Sequence, residues 1–171
     1  MFNERQKRLM LEFYLRARSE VLRQTRRGNI GLRNLSRSLK MMRQAVAFKY
    51  PVMKAIYDAL FTCFASHLDN SMQQTLHRLI FELFEIKSLP GLDAVKRQHG
   101  GNGEEFTYVE EFVIPSGGHP PLNFKESDFI LTPTFRNLVR RLASIVSVTD
   151  YAVILEGPTS TGKTSTVQYL A

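Results

Sequence analysis

Cysteine is nearly absent: the 171 residues hold one, Cys63. A single thiol closes no internal disulfide, which excludes a disulfide-stapled fold and points to a reducing compartment. In its apolar stretch Cys63 reads as a small core residue. Long hydrophobic runs are missing too. None reaches the roughly 20 residues that a membrane-spanning helix needs. The opening Met1-Phe2-Asn3-Glu4-Arg5 has no apolar signal core. Acidic residues are outnumbered, 16 against 23 Lys and Arg, for a formal charge of +7. Much of the excess lies in the first fifty positions, at Arg5, Lys7, Arg8, Arg16, Arg18, Arg23, Arg26, Arg27, Arg33, Arg37, Lys40, Arg43 and Lys49. That imbalance suits contact with nucleic acid or an acidic partner, but basic helical segments are more often solvated helix faces. With 43% hydrophobic and 11% aromatic residues, wholesale disorder is excluded.

What is present first is helical periodicity. Leu9, Phe13, Ala17 and Val21 recur every four residues over 4–27, and Gly28 supplies a stop. A second helix is expected over 32–48, with Leu32, Leu35, Leu39, Met42 and Val46 as its buried stripe and Arg33, Arg37, Lys40 and Gln44 on another face. Pro51 suits the first position of a third helix, which carries Val52, Ile56, Leu60, Phe64 and Leu68. Asp69-Asn70-Ser71 is a turn with a good N-cap for a fourth, over 72–85, with Leu76, Leu79, Ile80, Leu83 and Phe84. His67 and His77 have no further metal-type ligands at suitable spacing and read as structural or surface residues. Residues 1–86 therefore form one helical bundle.

Composition changes at 87. Turn signals cluster at Leu89-Pro90-Gly91, Gly100-Gly101-Asn102-Gly103 and Pro115-Ser116-Gly117-Gly118-His119-Pro120-Pro121. Between them, 106–114 reads as one extended segment. His99 and His119, beside glycines, are loop residues. Residues 87–129 are thus a linker. From 130 onward order returns. Thr132 and Pro133 open a helix whose stripe is Phe135, Leu138, Val139, Leu142, Ile145 and Val146, with Arg136, Arg140 and Arg141 off it.

The stretch that carries chemistry is Gly157-Pro158-Thr159-Ser160-Thr161-Gly162-Lys163-Thr164, which fits G-x-x-x-x-G-K-[ST]. Ala152-Val153-Ile154-Leu155 ahead of it has the pattern of a buried parallel strand, and Ser165 onward continues as a helix. Gly157 and Gly162 permit backbone conformations that let the loop wrap a phosphate. The loop N–H groups then form an anion nest at a helix N-terminus. Lys163 reaches the β- and γ-phosphates of ATP, and the Thr164 hydroxyl is the Mg²⁺ ligand. Hydrolysis needs more: an acidic residue on a later strand and sensors of phosphate charge. Only seven residues follow Thr164, so the chain is expected to be incomplete as an enzyme.

These residues bring a resemblance into view. Gly157 to Ser165, followed by Tyr169-Leu170-Ala171, resembles the P-loop of midasins, very large AAA+ ATPases of ribosome assembly with six ATPase modules in one chain. The helix opened by Leu131-Thr132-Pro133 resembles the start of such a module. Gly31-Leu32-Arg33-Asn34-Leu35-Ser36-Arg37 resembles the lid helix of a preceding one, in which Arg33 matches an arginine that senses nucleotide phosphate. The resemblance implies a mixed α/β fold: an AAA+ lid-like bundle at 1–86, a linker at 87–129 with an extended segment, and a truncated P-loop NTPase core at 130–171. It implies ATP and Mg²⁺ as cofactors, bound by Gly157, Pro158, Thr159, Ser160, Thr161, Gly162, Lys163, Thr164 and Ser165. It also implies a parent that hydrolyses ATP and remodels pre-60S ribosomal particles in the nucleolus and nucleoplasm. Neighbouring AAA+ modules are its other partners, and no membrane is involved.

Two further readings stay open on the residues alone. One is another multi-module AAA+ protein, such as a dynein-like motor or an ATPase with a metal-dependent adhesion domain. The other is a basic helical module that binds nucleic acid or protein beside an incomplete P-loop. Binding of RNA calls for aromatics among the arginines. The basic first helix offers Phe13 and Tyr14, and Phe13 belongs to the buried stripe.

Overall fold

The computed structural model describes residues 3–24, 30–65, 68–90, 106–115 and 129–170. They fall in two compact units, Met1–Pro90 and Gly91–Ala171. Arg26, Arg27, Gly28, His67, His99, His119, the glycines of 100–103, positions 116–121 and Ala171 lie outside the described residues.

In the first unit, four helices run α1 (Glu4–Gln24), α2 (Leu32–Ala47), α3 (Val52–Ala65) and α4 (Asn70–Leu83). Helix α1 packs on α4, and α3 packs on both α2 and α4. The α1 stripe is Met10, Phe13, Tyr14, Ala17 and Val21, all buried. Phe13 meets Phe64 of α3 edge to face, with ring centroids 5.2 Å apart, a favoured aromatic geometry. Within the expected turn 69–71 it is Asp69 that caps α4, accepting from Met72 N at 2.9 Å. At the outer edge, Arg5 pairs with Glu85 across 2.7 Å.

Helix α2 corrects one expectation. Of Leu32, Leu35, Leu39, Met42 and Val46, only Met42 is buried, and Leu32 is 68% exposed. The face turned inward is Ser38, Met41, Met42 and Ala45. Adjacent residues on a helix are set about 100° apart, so the true stripe is the expected one rotated by about one position. Small Ser38 and Ala45 suit the alanine-rich surface of α3, where Ala55, Ala59 and Ala65 are buried. Interaxial distance depends on side-chain size at the contact. Ser38 is satisfied locally, its Oγ donating to Leu35 O at 2.8 Å.

In the second unit the expected single extended segment is a hairpin. Strands β1 (Phe106–Val109) and β2 (Phe112–Pro115) pair antiparallel, with Phe106 opposite Pro115 and Val109 opposite Phe112. Glu110 takes a left-handed φ of 52° at the turn. The hairpin packs on α5 (Pro133–Val146), and Val109, Phe112, Val113, Val139, Leu142 and Ala143 are buried. Val146, expected in the stripe, is exposed. The turn carboxylates engage α5: Glu110 lies 3.3 Å from Arg136 Nε, and both Glu111 oxygens accept from Arg140 Nε at 3.0 Å. Thr132 caps α5, accepting from Phe135 N at 3.2 Å, with Pro133 at the first turn.

The larger correction concerns 152–155. No strand forms there among the described residues, and Ile154 is 82% exposed. A parallel strand exists only as part of a paired sheet, and the described sheet is β1–β2 alone. The fold is accordingly mostly helical with one small antiparallel sheet. No described helix is long and apolar enough to cross a membrane.

Candidate functional site

The phosphate-loop residues form a tight turn that feeds α6 (Lys163–Leu170). Three positions in it have left-handed backbone: Gly157 at φ 152°, Ser160 at 61° and Gly162 at 78°. At Gly162 a Cβ would meet Phe135 Cδ2 at an ordinary 3.7 Å. The requirement for glycine there is therefore conformational rather than steric. Thr161 Oγ1 closes the turn by donating to Pro158 O at 2.9 Å.

Helix α6 begins hydrogen bonding with Thr166, whose N–H and hydroxyl both donate to Gly162 O, at 2.9 and 2.7 Å. The N–H groups of Lys163, Thr164 and Ser165 consequently have no intrahelical acceptor. The Lys163 ammonium sits in the mouth of the loop, donating to Gly157 O at 3.0 Å and also to Pro158 O. Thr161 Oγ1 lies 3.3 Å from the same nitrogen. Thr164 is exposed, and its hydroxyl has no hydrogen-bond partner among the described residues. The donor set fits an anion: three outward N–H groups, a positive helix end and a lysine within reach. The far side of α6 is anchored by rings, with Tyr169 edge-on to Phe135 at 5.7 Å and to Phe129 at 5.3 Å.

Arg33 stands in the first turn of α2, exposed. Its helix start is held firmly: Gly31 N donates to Asn34 Oδ1 at 3.1 Å, and Asn34 Nδ2 donates to Cys63 O at 2.7 Å. Arg33 belongs to the first unit and the loop to the second. Among the described residues, no His, Cys, Asp and Glu side chains gather into a metal site.

The profile of the family described as "Midasin AAA lid domain" matches residues 2–87. The chain belongs to the midasin AAA lid family. The match takes in all of α1–α4, so the four-helix unit is a midasin lid, and the phosphate loop lies beyond it. Over 177 aligned positions the chain is 27% identical to the protein named Midasin of Dictyostelium discoideum. That alignment covers 95% of this chain and 3% of the relative, so the chain spans a small part of the midasin it matches. No solved structure matches.

One feature of the midasin lid was missed at the level of sequence. Tyr57 and Phe61 of α3 stack at 5.6 Å, His77 and Phe81 of α4 lie 4.5 Å apart, and the two pairs interlock edge to face. Each pair is spaced i, i+4, a signal visible in the sequence.

Proposed function

We propose that this chain joins the lid of one AAA+ module to the nucleotide-binding start of the next, in a midasin-type ATPase that remodels pre-60S ribosomal particles in the nucleus. The family of the lid supports the first part, and the alignment running well beyond that lid supports the second. The observation that carries the nucleotide reading is the pairing of Lys163 and Thr164 at an open helix start behind three left-handed loop residues. ATP with Mg²⁺ supplies the phosphoryl group whose transfer drives such a cycle. On this reading the N–H groups of 163–165 receive phosphate oxygens. Lys163 leaves the carbonyls of Gly157 and Pro158 to neutralise phosphate charge, the Thr164 hydroxyl faces the metal, and Arg33 senses phosphate on the preceding module. Hydrolysis would also need an acidic residue that holds Mg²⁺ and positions water.

Titration of the 171-residue chain with a fluorescent ATP analogue, with and without Mg²⁺, tests this. Lys163→Ala is expected to weaken binding at least about tenfold, the loss of one charge-assisted contact set, and to leave helix content unchanged. Equal binding by both proteins would show that residues 157–165 are not a nucleotide site.

A further inference from the structure

Between α3 and the start of α4, an open cavity of about 270 Å³ is lined by Phe61, Asn70, Gln73, Gln74 and His77. Its lining holds no Lys, Arg, Asp or Glu. One wall is the Phe61 ring, the end of a stack with Tyr57 whose planes meet at 16°. The His77 imidazole is oriented from behind, with Tyr57 Oη 2.9 Å from its Nδ1. Two carboxamides, Asn70 and Gln74, have no hydrogen-bond partner among the described residues. Arg78 lies one helical turn beyond Gln74, exposed and likewise unpaired among the described residues.

We propose that this cavity takes one unstacked base of a single-stranded nucleic acid, with Phe61 as the stacking surface, Asn70 and Gln74 reading the base edge, and Arg78 on the adjoining phosphate. The volume favours a single ring system, since sites for drug-sized ligands begin at about 300 Å³. Carboxamides supply both donors and acceptors, which a base edge needs and a bare charge does not. Aromatic rings stack on any base face, so the platform carries affinity without demanding a sequence. The charge also fits. Residues 1–90 hold sixteen Lys and Arg against seven Asp and Glu, so the whole positive excess of the chain belongs to the unit that bears the cavity. Helix α1, which carries six Lys and Arg, cannot serve as the platform, because Phe13 and Tyr14 are both buried. The site is independent of the phosphate loop.

Fluorescence anisotropy with 12-nucleotide oligo-U and oligo-A, as RNA and as DNA, and with a duplex of matched length tests the proposal on the 171-residue chain. Single strands are expected to bind more tightly than the duplex, whose bases are stacked inside. Phe61→Leu is expected to weaken single-strand binding about tenfold, the scale of one stacked base. Gln74→Ala, at an exposed position where folding is not at risk, should weaken it severalfold. Arg78→Gln should lower the salt slope by about one while changing all strands alike. Binding of either sugar that responds in this way supports the proposal, and a preference between RNA and DNA identifies the strand. Equal binding of duplex and single strand, or equal affinity of the parent and both Phe61→Leu and Gln74→Ala, would overturn it. So would a lack of binding to every strand.

Discussion

The most revealing single perturbation in the lid is Asp58→Ala. Lys54 is 2% exposed, its ammonium donates to Asp58 Oδ2 at 2.8 Å, and Asp58 is 15% exposed. At that separation the gross attraction is about 6 kcal/mol for an effective dielectric near 20. Most of it is cancelled by the cost of taking both ions out of water. Removing the aspartate takes the paired carboxylate away from an ammonium that stays buried, and truncations of that kind destabilise by about 3–5 kcal/mol. A domain of this size shifts its midpoint about 4–8 °C per kcal/mol. The lid should therefore melt more than about 12 °C lower. Lys54→Met keeps the aliphatic stem and leaves only the more accessible carboxylate, and it should cost about 1 kcal/mol or less. The double variant Lys54→Met with Asp58→Ala should return to within about 1 kcal/mol of the parent. Thermal melts followed by helical circular dichroism read all three. A midpoint for Asp58→Ala within about 4 °C of the parent would refute the reasoning, because it would mean that the buried ammonium does not depend on this carboxylate.

Two further predictions concern the same bundle. Leu32→Ser should change stability by less than about 0.5 kcal/mol, whereas Met42→Ala should cost about 2–5 kcal/mol; urea midpoints decide which face of α2 is the core. Burial pushes the Cys63 thiol up to about 11 from an ordinary 9.0, against the attraction of Arg37. The folded state then holds the proton more tightly, so stability is full below pH 9 and falls by about 2–3 kcal/mol as pH rises to 11. Cys63→Ala should lack that part of the decline in urea midpoints.

What was legible in the sequence was local. The caps expected within the turn 69–71 and at Thr132 depend on a side chain three residues from the amide it accepts from, and both form, the first at Asp69. The rotation of α2 was not legible, because its leucines mark one apolar arc while the core selects the neighbouring arc with small residues. The hairpin was hidden by Glu110-Glu111, which has none of the Gly or Asn turn chemistry. What marks that turn is its pairing with Arg136 and Arg140, about thirty positions away. The aromatic cavity needed both α3 and α4, and neither i, i+4 pair reveals it alone. In the phosphate loop the sequence placed the glycines where left-handed backbone occurs, and left Ser160 unannounced.

Under the proposed function, the strand-free run before the loop bears directly on how nucleotide would be held. One flank of the loop is fixed by Phe129, Phe135 and Tyr169, while Val153 and Ile154 on the other stay exposed. Ordering a residue costs about 1–2 kcal/mol, so fixing four residues at 152–155 opposes phosphate binding by about 4–8 kcal/mol. A partner strand that buries Ile154 would remove that opposition. On the proposed nucleotide reading, ATP affinity in the isolated chain is set by the flank as much as by Lys163. Hydrogen exchange tests this without any need for turnover. Amides of 152–156 should exchange rapidly in the 171-residue chain, while those of Thr166 and beyond, inside α6, are slowed. Saturating Mg²⁺-ATP should extend protection back through the loop. Strong protection of 152–156 before nucleotide is added would mean that the flank is already paired, and no ordering cost would then oppose phosphate binding.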